Sequence, residues 1–342
     1  GYTWTVGASG FIFVAGTVSG TFGVDLSAAA GVYTQTAGTI AAAAILTVTT
    51  GTGGAALTAL TKTGTLNITH NATTGNIVWA TAAKLNTLTI NPGKTLTQIG
   101  IVRVTKLAGS GTFAGAAQVT YWYPAANTDW DWTGTISGTG LFHVRPTAAL
   151  TIGSALDFGT RPVSLSDAAS SLTLTLSGLA GGALTITPFS AGVTTTLVTN
   201  GPSSGTTITL GTGADATKAG ALVLGTGCVH TWGALAVVAG STAAHAMTYG
   251  GSVAVSGTQD WDSITVSLGR ASVKITDPTK IIDADNVTAI TSIGAHIHGG
   301  SIQNIDVVPS ANPIYHFGPA AADVGTGIIQ MPSTLMATTM AG

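Results

Sequence analysis

Thr65-Leu66-Asn67-Ile68-Thr69 and Thr87-Leu88-Thr89-Ile90 decide how this chain is read. In both, apolar residues alternate with Thr or Asn, the period-2 pattern of a strand that buries one face. The pattern recurs at Ile45-Leu46-Thr47-Val48-Thr49, Ile101-Val102-Arg103-Val104, Leu172-Thr173-Leu174-Thr175-Leu176, Leu184-Thr185-Ile186-Thr187, Thr207-Ile208-Thr209-Leu210 and Ile264-Thr265-Val266. Comparable positions fall at Leu46, Leu66 and Leu88, at Leu150 and Leu172, and at Leu184 and Ile208, at intervals of 20, 22, 22 and 24 residues. That is about one coil of a β-helix, and small Ala and Gly residues between the strands suit its corners. Asn-Gly occurs once, at Asn200-Gly201, and Asp-Gly never, so tight hairpin signals are scarce. The expectation is an all-β fold, a right-handed parallel β-helix (β-solenoid) with terminal caps. Antiparallel β-sandwich domains are the alternative.

Composition points the same way. There is no Glu, so all 13 acidic residues are Asp, and 7% of residues are charged, against about 25% in ordinary domains. Among strong helix formers only Ala and Leu are common, while Thr, Val, Ile, Gly and Ser suit strands and turns. The 45% hydrophobic content is too high for a disordered tail. Apolar runs such as Ile40 to Leu46 are far short of the roughly 20 residues of a membrane helix. A net charge of −2 with dispersed cations gives no electrostatic case for nucleic acid or anionic lipid. So little charge opposes self-association only weakly, which suits an assembled protein whose faces are covered.

Three regions are expected: an N-terminal cap or attachment region over 1–40, the solenoid over 41–275, and a C-terminal cap with an extended tail over 276–342. The aromatics Tyr2, Trp4, Phe11, Phe13 and Phe22 supply the first cap, and Pro309, Pro313, Pro319 and Pro332 mark the tail. Cys228 is single, which excludes an intrachain disulfide, and its setting between Gly227 and Val229 suggests a buried thiol.

Candidate chemistry is sparse. Gly93-Lys94-Thr95 lacks the upstream glycine of a phosphate-binding loop, since Leu88 stands there. Gly201-Pro202-Ser203-Ser204-Gly205 matches G-x-S-x-G, but a strand rather than a helix follows it. Asp129-Trp130-Asp131-Trp132 and Asp260-Trp261-Asp262 each set an aromatic between two carboxylates before a strand. One reading is a carbohydrate or partner platform, and the other is a Trp that closes a coil beside a turn capped by Asp. In extended backbone the two carboxylates of each pair share a face, which keeps a polysaccharide-cleaving alternative open. His296-Ile297-His298 places two imidazoles on one side of a strand, a candidate metal site where chains meet at a symmetry axis. His70, His143, His230 and His245 are isolated and suit surface or satisfied core positions. No cofactor is expected.

Gly299-Gly300-Ser301-Ile302-Gln303-Asn304-Ile305-Asp306-Val307 with Pro313-Ile314-Tyr315-His316-Phe317 resembles the C-terminal region of tailed-bacteriophage virion surface proteins, the head-decoration, fibre and spike type. Leu88-Thr89-Ile90-Asn91-Pro92-Gly93-Lys94-Thr95-Leu96 resembles the strand–turn–strand unit of β-helical phage and bacterial surface proteins. The specific part covers 299–317, and no catalytic residue carries over. The resemblance implies a non-enzymatic structural protein on the virion surface or outside the cell, commonly a homotrimer. Its implied partners are other virion subunits and a host-surface glycan, without membrane insertion. A bacterial surface adhesin or extracellular filament subunit is the alternative of the same shape, and a polysaccharide-cleaving tailspike is the second.

Overall fold

The computed structural model describes residues 2–5, 11–13, 17–26, 32–35, 39–57, 61–62, 65–79, 83–115, 117–166, 171–187, 192–211, 218–237, 244–261, 264–269, 271–277, 279–283, 289–292, 296–298, 301–303 and 314–315. The fold is a β-solenoid of stacked parallel strands. All pairings between described strands for which a register is defined are parallel, so the antiparallel sandwich is excluded. A single 3-10 turn, Asn127–Asp129, is the helical structure among the described residues. The chain divides into two compact units, Gly1–Thr147 with Asp157–Pro162, and Ala148–Leu156 with Val163–Gly342.

In the first unit one face is the ladder Tyr2–Thr5, Thr21–Asp25, Ile45–Thr50, Thr65–His70, Leu85–Ile90 and Val102–Gly109. A second face runs from Phe11–Phe13 through Tyr33–Gln35, Ala55–Leu57, Thr74–Trp79, Thr95–Gly100 and Thr112–Gly115 to Thr135–Gly138. Short strands Thr17–Val18, Thr39–Ile40 and Thr61–Lys62 make a third. The described strands between Tyr2 and Ile40 pair in register with later coils. The core is a column of identically placed apolar side chains. Leu46 pairs with Leu66 and Val48 with Ile68, which pairs in turn with Leu88. All five are at most 2% exposed, each contributing about 1.5–3 kcal/mol of apolar burial. Thr47, Asn67 and Thr87 line the half-exposed opposite side.

The second unit repeats the scheme with longer coils. Leu172–Ala180, Thr194–Thr199, Ala219–Leu224, His245–Thr248, Ile264–Gly269 and Ala289–Ser292 form one ladder. Leu184–Ile186, Ser203–Leu210, Val229–Val237, Ser252–Val255, Ser272–Ile275, His296–His298 and Ile314–Tyr315 form another. Gln259–Asp260, Ile281–Asp283 and Ser301–Gln303 add a third. Pairing of described strands continues past residue 275. Cys228 sits half-buried in the turn before Val229–Val237, its thiol 3.0 Å from the Asn200 carbonyl. It lies beside a strand as expected, but is half-buried rather than buried. No helix among the described residues is long and apolar enough to cross a membrane.

Candidate functional site

The two Asp-Trp motifs are built into turns and core. Asp129 ends the 3-10 turn and its carboxylate accepts the backbone N–H groups of Ala125 and Ala126, at 2.7 and 2.9 Å. Trp130 and Trp132 then face inward, 4% and 6% exposed, with Trp130 packed on Trp122 and Phe158. Asp131 between them faces out and meets Lys106 Nζ at 3.3 Å. Asp129 and Asp131 thus do not share a face, because the turn breaks the extended backbone that such sharing needs. In the second motif Trp261 is 1% exposed and donates to the Tyr249 hydroxyl at 3.1 Å, which donates to Gln259 Oε1 at 3.2 Å. Asp260 accepts from the Val237 N–H, and Asp262 lies outside the described residues. A sugar stacks on an open ring face, and none of these three indoles offers one. Asp129 fits the turn-capping reading.

Much of the remaining polar chemistry is also interior. Ser203, of the G-x-S-x-G match, does touch a histidine: its Oγ lies 2.8 Å from His230 Nδ1. His230 Nε2 faces the Gly225 carbonyl at 3.1 Å. A carbonyl only accepts, so Nε2 carries the proton and Nδ1 accepts from the serine. Trp232 Nε1 donates to the same serine oxygen. The histidine is oriented by a carbonyl rather than a carboxylate, and both side chains are buried. A nucleophile needs access and an activated base; this pair lacks the first and is built for the core. His70 lies beside Thr50 Oγ1 at 2.9 Å, and His245 Nδ1 accepts the Gly220 N–H. Burial pulls all three imidazoles below the ordinary histidine value.

Arg161 is a fully buried cation. Its Nε donates to the Gly140 carbonyl at 2.7 Å, and Nη2 to the Gln118 carbonyl and Thr120 Oγ1. Thr120 in turn donates to Gln98 Oε1, and Gln98 Nε2 donates to the Val119 and Gly100 carbonyls. The guanidinium therefore ties successive coils of the first unit through carbonyl dipoles. Burial lowers its pKa to about 10, which leaves it charged at neutral pH.

One outer cluster escaped sequence reasoning. Strand Thr120–Trp122 pairs with Val102–Gly109 on one side and Phe142–Val144 on the other, which aligns Arg103, Tyr121 and His143. The Tyr121 and His143 rings stack at 4.9 Å and 6°, with the Arg103 guanidinium 5.4 Å from the Tyr121 ring. Arg145 lies 5.7 Å from the Tyr123 ring, and the exposed Lys84 places Nζ 4.2 Å from the same ring. Burial, and then the Arg145 charge, hold His143 below its ordinary pKa. The alternations Tyr-Trp-Tyr at 121–123 and His-Val-Arg at 143–145, one coil apart, are the signal that could have found it.

Strand His296–His298 sets His296 beside Ser272 and His298 beside Lys274, but the imidazoles themselves lie outside the described residues. Among the described residues no three His, Cys, Asp or Glu side chains gather as metal ligands. Comparison with family models, curated proteins and solved structures finds no match to this chain.

Proposed function

We propose that this chain is a non-enzymatic structural protein of a virion surface, a head-decoration, fibre or spike component of a tailed bacteriophage that works as a homo-oligomer. The observation that carries this reading is the direction in which the solenoid turns its chemistry. Ser203, His230, His245, His70 and Arg161 are spent on joining coils. The opposite faces of several strands carry Thr ladders, such as Thr49, Thr69 and Thr89, and Thr173 and Thr196. Hydroxyl-rich, charge-poor ladders of parallel strands suit lateral burial against other subunits. The resemblance of 299–317 to phage virion proteins supplies the particle.

Immunogold electron microscopy with antibodies raised to the 342-residue chain tests the assignment. Particles released by the source strain should carry label at a fixed position. Label confined to the cell envelope or to secreted filaments overturns it in favour of an adhesin, and depolymerisation of a glycan by the purified chain overturns the non-enzymatic part.

A further inference from the structure

The chain has 11 Lys and Arg residues in all, yet Lys84, Arg103 and Arg145 meet Tyr121, Tyr123 and His143 on one outer face of the first unit. We propose that this face binds an acidic polysaccharide, its cationic nitrogens taking carboxylates spaced along the polymer and its phenol hydroxyls taking sugar hydroxyls.

Three features of the cluster point to that ligand class. First, Lys84, Arg103 and Arg145 gather cationic charge on one face of a chain whose net charge is −2, while the outward carboxylate of Asp131 is engaged by Lys106. Second, the ring faces are taken. Tyr121 has Arg103 and His143 against it, and Tyr123 has Lys84 and Arg145. A neutral pyranose or a nucleobase needs a bare ring face to stack on, whereas an anion needs only the cations and the hydroxyl edges left to it. Third, Arg103, Tyr121 and His143 lie on neighbouring strands of the ladder. Strands in a ladder are about 4.7–4.9 Å apart, so the tyrosine strand sets Arg103 and Arg145 on either side of it, about two such spacings apart, a regular array that a repeating polyanion can follow. The cation–ring contacts also hold the long side chains in place before binding, which lowers the ordering cost of capture. Nucleic acid is the less favoured polyanion, because it draws its affinity from many phosphate contacts and from base stacking.

The inference is independent of the virion assignment: loss of binding leaves the assembly role untouched, and a different particle leaves this face untouched. Fluorescence anisotropy of labelled oligogalacturonate titrated with the intact chain at low salt reads it out. Wild type should bind, and added salt should weaken the complex. Arg103→Gln/Arg145→Gln should bind about tenfold more weakly, and Lys84→Gln, at an exposed position, about threefold. Lys274→Gln, in the second unit, should leave affinity unchanged. No binding by wild type, a natively folded double variant that binds like wild type, or equally tight binding of neutral dextran or a single-stranded oligonucleotide would each overturn the proposal. If the double variant does not fold, unchanged affinity of Lys84→Gln overturns it alone.

Discussion

Arg161 carries an unusual share of the first unit's cohesion, since one side chain donates to Gly140, Gln118 and Thr120 from different coils. Replacing it by Met removes the donors and leaves buried carbonyls without partners. Arg161→Met should lower the unfolding free energy by about 3 kcal/mol in urea titrations, hydrogen bonds to charged groups being worth about 1.5–3 kcal/mol. Lys should not rescue it, because an ammonium cannot reproduce the planar fork. The buried histidines set the response to acid. His70, His230 and His245 have folded pKa values below the ordinary 6.5, so the unfolded chain binds protons first as pH falls. Stability should hold constant above neutrality and decline below about pH 6.5, by at most about 1.4 kcal/mol per pH unit for each histidine. Melting temperatures measured from pH 8 to 5 check this, and a protein that gains stability on acidification contradicts it. Sequence alone marked these histidines as satisfied core or surface residues without choosing. The choice depends on partners such as Ser203 for His230 and Gly220 for His245, which are fixed by coil register and not by neighbours in sequence.

At the scale of the element, stacking restricts where a side chain can go. Gly138 has φ of +109°, and a Cβ there would run into the Gly115 carbonyl of the preceding coil. Gly93 also has a positive φ, +70°, but a Cβ there meets open space. Gly93→Ala should therefore cost about 1 kcal/mol, the left-handed penalty alone, while Gly138→Ala should cost at least twice that in the same denaturation assay. Equal losses would mean that the coils relax apart easily. Strand identity was legible from alternation: Thr65–His70 and Leu85–Ile90 stand where the pattern put them. Register was less so. Leu88 pairs with Ile68 and not with Leu66, giving a 20-residue coil where matching leucines suggested 22. A slip of two residues keeps the same side chains inward, so alternation cannot detect it. Asp129-Trp130-Asp131 was ambiguous in a related way, because alternation alone does not show the 3-10 turn at Asn127–Asp129 that sets Asp129 apart from Asp131.

For the whole molecule, coil spacing and the lack of hairpin signals were enough to read a solenoid, because a parallel stack needs the same short segment at each return. They were not enough to read the surface. The cations looked dispersed along the sequence, and only the ladder brings Arg103 beside Tyr121 and Tyr121 beside His143. The proposed assembly buries charge-poor Thr faces of this solenoid between subunits. Mass photometry of the purified 342-residue chain at neutral pH tests it most directly. The prediction is one discrete oligomer, at three times the 33.7 kDa chain mass for a trimer, that persists on dilution. A single population at 33.7 kDa would contradict it.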